Sequence, residues 1–124
     1  YILDWHDTDV CGNAINFPDS GRVYRIMPKN AKKIKRPNLS KLSDLELAEM
    51  QNHPNDWYVR HARVILHHRA SDGNLDKQVV GKSLEKLFQD AKTSGKRLRA
   101  LWAAHVTGLL SDAKMENLLK HDDE

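Results

Sequence analysis

The sequence predicts a mainly α chain: short helix pairs in tandem, preceded by a small β-hairpin. Three observations carry that prediction. From residue 42 onward, apolar residues recur at helical spacing between capping and turn residues. The helical pattern repeats at an offset of 39 residues, with Val59-Arg60 matched by Leu98-Arg99. Residues 1–28 instead hold two short runs of β-branched and aromatic residues around a polar stretch rich in turn formers.

The first run is Tyr1-Ile2-Leu3-Asp4-Trp5. The second, Gly21-Arg22-Val23-Tyr24-Arg25-Ile26, alternates with the period of a half-buried strand: Val23 and Arg25 share one face, Tyr24 and Ile26 the other. Two strands alone are marginal in water, so this pair is expected to have an unmet apolar face. Residues 29–41 read as a basic linker, with Lys29, Lys32, Lys33, Lys35, Arg36 and Pro37 and no apolar period. Charge and proline keep such a connector extended. Its alternative role is a patch for phosphate or acidic lipid.

The helices occupy 42–124. Ser43 with Glu46 three residues later is a capping-box pattern for the first helix, whose Leu45, Ala48 and Met50 are expected to face inward. His53-Pro54-Asn55 makes the turn, and Asn55 or Asp56 caps the second helix. That helix is expected to bury Trp57, Tyr58, His61, Ala62, Ile65 and Leu66, with Arg60, Arg63 and His67 opposite. Ala70 to Asn74 breaks it. Val80, Leu84, Leu87, Phe88 and Ala91 give the third helix a 3.6-residue period. After Thr93-Ser94-Gly95, the fourth carries Leu98, Leu101, Trp102, His105 and Val106 and ends near Gly108. Ser111 caps a short fifth helix with Met115, Leu118 and Leu119.

A 39-residue offset lies near the 40–47 residues of two-helix HEAT-type repeats, an α-α superhelix. Asp56-x-x-Val59-Arg60 resembles the start of a HEAT second helix, where the Arg supports packing between neighbours. Lys96-Arg97-Leu98-Arg99-Ala100 is a looser copy. Each helix pair buries one face, so repeats must stack, and more are expected after Glu124.

The chain has 124 residues, 40% hydrophobic and 30% charged, with net charge +3 and pI about 9.0. These values fit one modest soluble globular domain and do not by themselves argue for nucleic acid. No apolar run approaches the roughly 20 residues of a membrane span. There is no signal peptide and no initiator Met, and both ends read as cuts within a longer protein. One cysteine, Cys11, allows no internal disulfide, no CxxC pair and no CxxCH haem site; it reads as a small buried hydrophobe.

His6, Asp7 and Asp9 form the best local cluster for chemistry. Carboxylates two apart in a loop suit a hard cation, and a nearby His suits a base or ligand. Asx turns account for the same residues without a metal. His61, His67 and His68 lack the i, i+4 spacing of a helical zinc site and read as surface or partly packed side chains. His105 reads as a packing histidine, and Trp57 and Trp102, near equivalent helix positions, as core anchors. No Gly-rich phosphate loop or GxSxG elbow occurs.

Asp4-Trp5-His6-Asp7-x-Asp9-x-Cys11-Gly12-Asn13 and Asp19-Ser20-Gly21-Arg22-Val23-Tyr24-Arg25-Ile26 resemble the end of the β-propeller in large membrane-bound dehydrogenases of planctomycetes and verrucomicrobia. Leu42-Ser43-Asp44, Asn55-Asp56-Trp57-Tyr58-x-Arg60-x-Ala62-Arg63 and Arg97-Leu98-Arg99-Ala100-Leu101-Trp102-x-x-His105-x-Thr107-Gly108 look like the region that follows it. The resemblance covers nearly the whole chain, and its first two segments are the most specific. It implies a propeller similar to quinone-dependent sugar and sorbosone dehydrogenases, then HEAT-like repeats, often then a cytochrome c domain. The parent would be an exported, periplasmic, membrane-associated oxidoreductase using a quinone cofactor and haem c. This chain would hold only the closing strands and first repeats, so no catalytic residue is carried over.

The leading expectation is therefore a non-catalytic scaffold and interaction segment of such a dehydrogenase. Its partners would be neighbouring propeller and repeat segments, with a protein partner as a further candidate. A free-standing helical-repeat binding module is the alternative. A nucleic-acid binder using Lys29 to Arg36 and the helical arginines is disfavoured by Asp122-Asp123-Glu124 and by the acids scattered among the helices.

Overall fold

The computed structural model describes residues 1–3, 22–31 and 36–121. Two compact units emerge, Tyr1–Arg36 and Pro37–Glu124. In the first, β1 (Ile2–Leu3) pairs antiparallel with β2 (Val23–Tyr24), Ile2 opposite Tyr24 and Leu3 opposite Val23. All four ladder residues are exposed, as expected of strands with unmet apolar faces. The Arg25 guanidinium lies 5.9 Å from the Tyr1 ring centroid. A hydrogen bond from Arg36, aided by the Arg25 charge, holds the Tyr1 phenol below its ordinary pKa.

The second unit is helical: α1 (Asp44–Glu49), α2 (Asp56–Ser71), α3 (Lys77–Asp90), α4 (Ser94–Val106) and α5 (Asp112–Leu118). It starts earlier than residue 42. A 3-10 turn at Leu39–Lys41, capped by Asn38, inserts Leu39 into the core. That residue lies inside the stretch read as linker.

Local chemistry sets the helix ends. Ser43 Oγ accepts from the Glu46 amide, and Glu46 Oε2 accepts from the Ser43 amide at 2.8 Å, closing the capping box. Hydrogen bonds from the Ser43 backbone and then its hydroxyl lower the Glu46 pKa. This contribution is present at neutral pH and is lost as the pH falls through that depressed value. Ser43→Ala is expected to cost about 1 kcal/mol, a fall of roughly 4–8 °C in Tm, measured by circular dichroism. An unchanged Tm would show that the cap contributes nothing. The Asn55, Asp76 and Ser111 side chains cap α2, α3 and α5 by accepting from a first-turn amide. Gly73 and Gly108 follow α2 and α4 at φ of 72° and 68°, a conformation that side chains resist.

α1 runs antiparallel to α2: the Gln51 amide just after α1 donates to the Val59 carbonyl, and Asp44 at its start meets Arg69 near the end of α2. α3 and α4 form the next pair, α1 packs on α3, and α2 packs on α4. α2 and α4 lie parallel. Asp56 reaches Arg99, Arg63 lies over Trp102, and His67 Nδ1 is 2.8 Å from the Val106 carbonyl oxygen. The last two contacts each join residues 39 apart, so the sequence offset is also the lateral register between the two helices.

Several side chains face differently from the sequence expectation. In α2 the buried set is Val59, Ala62 and Leu66, at spacings of three and four. Trp57 is two residues, about 200° of helix, from Val59 and therefore points outward, as does His61. Arg63, expected on the outer side, is half-buried at the seam with α4. In α4 the buried residues are Ala100 and Ala103, followed by Thr107 at the C-cap, and their small side chains permit close approach. Leu98, Trp102 and His105 are turned to solvent. Leu45 and Leu119 are also exposed rather than inward, whereas Leu47 fills the α1 core position.

Candidate functional site

His6, Asp7 and Asp9, with Cys11, lie outside the described residues, as do Lys32, Lys33 and Lys35. Lys29 and Arg36 are exposed. Among the described residues, no three His, Cys, Asp or Glu side chains converge in a way that could hold a metal ion. His61 stacks on Trp57, and His67 bridges to the end of α4. The single cysteine leaves no CxxCH for covalent haem attachment in this chain, and no reaction step is assigned to these residues. No described helix is long and apolar enough to cross a membrane.

Among the described residues the interior holds no idle polar group. Gln51 is buried, donates to the Leu47 and Val59 carbonyls, and accepts from Arg63. Thr107 donates to the Ala103 carbonyl at 2.7 Å. Among the described residues, every buried side-chain nitrogen and oxygen has a partner. A narrow cleft of about 40 Å³ lies between α3, α4 and α5, lined by Leu84, Phe88, Leu101, Ala104 and Leu118. Drug-sized ligand pockets typically measure about 300–1,000 Å³, so this is a packing seam. Lys114 bridges it to Glu85, whose pKa is lowered by hydrogen bonds from Lys114 and then Gln89.

Aromatic and charged side chains gather on the outer face of α2 and α4. Trp57 is 54% exposed and stacks on His61 at 3.8 Å between ring centroids, with 24° between the planes. Trp102 is 47% exposed, with the Arg63 guanidinium 5.2 Å from its ring centroid. Burial lowers the Arg63 pKa, while Asp56 opposes the shift; a guanidinium remains charged at neutral pH. Asp56 accepts from Arg60 at 2.5 Å through one oxygen and meets Arg99 at 3.2 Å through the other. Arg99 also donates to the His53 carbonyl.

The expectation of two core anchors at equivalent positions is thus corrected. Trp102 sits beside Arg63, and both indoles are on the surface. The signal was present in the sequence, since adding the 39-residue offset to Arg63 gives Trp102. Comparison with models of known families, with curated proteins and with solved structures finds no match to this chain.

Proposed function

We propose that residues 37–121 are a stretch of HEAT-type α-helical repeats serving as a non-catalytic scaffold and interaction segment. We further infer that the chain spans the junction between closing propeller strands and repeats in an exported, membrane-associated sugar-type dehydrogenase linked to quinone and haem. The observation that carries the repeat reading is the lateral register of α2 on α4. Contacts 39 residues apart, Arg63 to Trp102 and His67 to Val106, coincide with the sequence offset. Arg99, the counterpart of Arg60, crosses to Asp56 of the preceding pair, as a repeat-stabilising arginine should. The dehydrogenase context rests on the sequence resemblance.

Sequencing the coding DNA on both sides tests that context. Several β-blade segments upstream and further helix pairs downstream, followed by CxxCH, are the expected result. A start codon directly before Tyr1 and a stop directly after Glu124 would overturn it. The second reading, a free-standing helical-repeat binding module, would then hold. It is favoured by the separation of Pro37–Glu124 as a compact unit with its own core.

A further inference from the structure

The helical unit is closed along one flank and open along the other. On the closed side the 3-10 turn at Leu39–Lys41 lies against α2, with Leu39 in the core and Leu42, Tyr58 and Ile65 packed against it. Arg69 fastens this segment by donating to the Ser40 and Leu42 carbonyls. A segment so placed seals the end of a helical array. Lateral contacts 39 residues apart join unlike flanks of neighbouring helices, so like flanks are matched on burial. Val59, Ala62 and Leu66 then correspond to Ala100, Ala103 and Thr107, each 41 residues on. α4 covers the flank of α2 that holds Asp56, Arg63 and His67. The same flank of α4 holds Arg97, Ala104 and Gly108, with Leu101 among them. Among the described residues only the short α5 borders it, across the narrow cleft and an adjoining one of about 120 Å³ lined by Phe88, Leu98, Leu101 and Leu118. α5 is itself half a pair. Each of α1 to α4 buries at least two side chains, whereas the seven residues of α5 bury none and leave Leu119 87% exposed. So short a helix is not stable without packing.

We propose that the open flank of α4, with the cleft between α4 and α5, seats a further helix parallel to α4: the mate of α5, continuing this chain. This rests on the repeat reading of residues 37–121 and names what covers its free edge. The template is the α2–α4 seam one repeat earlier, where a second helix lies on the equivalent flank. Chain order supplies the occupant, since α2 follows α1 and α4 follows α3 as the second member of each pair. The chemistry of the flank sets the occupant's face. Leu98, Leu101 and Ala104 stand where α2 has Trp57, Arg60 and Arg63, so the incoming helix meets α4 with an apolar stripe rather than through charges like those of Asp56 and Arg99. A second copy of the chain lacks a matching surface. Head-to-tail stacking needs an open flank on α2, which the 3-10 turn occupies. A two-fold pair would set the α4 flank against itself, whereas the α2–α4 seam joins two different flanks.

The test compares residues 1–124 with the chain lengthened, in its natural coding sequence, by about 40 residues. Both carry Leu101→Cys together with Cys11→Ser, which removes the one native thiol of residues 1–124. Labelling by a maleimide is timed. The longer chain is expected to label at least about tenfold more slowly. Leu45→Cys, on the exposed side of α1, should label alike in both. Amide hydrogen exchange of α5 needs no substitution and should slow by a similar factor in the longer chain. Equal labelling or equal exchange in the two chains would overturn the proposal, as would a stop codon directly after Glu124. Slower labelling of residues 1–124 as their concentration rises would overturn it in favour of a second copy. A longer chain that melts cooperatively yet leaves the flank open removes this seat alone, whereas one that melts without cooperativity removes the repeat array with it.

Discussion

Leu66→Ala is expected to cost about 2–5 kcal/mol and to lower Tm by roughly 10–30 °C. Leu66 is fully buried and shares one core with Leu39, Leu47, Leu75, Val80 and Ala103. Those residues come from the 3-10 turn, α1, the α2–α3 loop, α3 and α4, so the cavity opens where the first four helices meet. A small domain has only about 5–15 kcal/mol of stability, and the variant falls within reach of global unfolding at room temperature. Leu45→Ala is the control. Leu45 is 43% exposed, and its truncation should stay within about 0.5 kcal/mol. Urea denaturation followed at a helical wavelength measures both. If Leu45→Ala costs as much as Leu66→Ala, the inward face of α1 has been assigned to the wrong residues.

That pair of leucines also marks where sequence patterning was informative. Helix ends were legible because they depend on near neighbours: Ser43 with Glu46, Asn55 before α2, Ser111 before α5, Gly108 after α4. The existence of each helix followed from spacing alone. The faces were harder. A helix with apolar residues over most of its circumference, such as Trp57 through Leu66, has no single stripe in sequence, and hydrophobicity favoured the indoles for the interior. The α3–α4 packing instead selects Ala100 and Ala103, because small side chains let the helices approach and leave no room for Trp102.

The candidate surface was legible in parts without being recognised as a surface. Its arginines are plain in the sequence, and the apolar character of its tryptophans points them to the core. The 39-residue offset, applied to individual side chains, brings Arg63 to Trp102 and His67 to Val106. Long-range polar contacts had no comparable signal. Asp44 and Arg69 are 25 residues apart, and nothing in their local sequence announces that they meet.

Asp44 supplies the second large effect. One carboxylate oxygen accepts from Arg69 at 2.6 Å and the other from the Asp76 amide at 2.7 Å, at the cap of α3. Arg69 continues to the carbonyls of Ser40 and Leu42. The Asp44–Arg69 pair thus joins the 3-10 turn, the start of α1, the end of α2 and the start of α3. Its side chain is 14% exposed and that of Arg69 25%, so water competes weakly for either. Asp44→Ala leaves Arg69 partly buried without its counter-ion and the Asp76 amide without an acceptor. Its expected cost is about 2–4 kcal/mol, more than the truncation of an exposed ion pair. Asp44→Asn keeps an acceptor for one of the two donors and should cost less. The decisive measurement is a double-mutant cycle with Arg69→Met in urea. Coupling of about 1–3 kcal/mol is expected, because either single change strands the other group. Strictly additive costs would mean that the two residues act separately, and that the apolar cluster alone holds the ends of α1, α2 and α3 together.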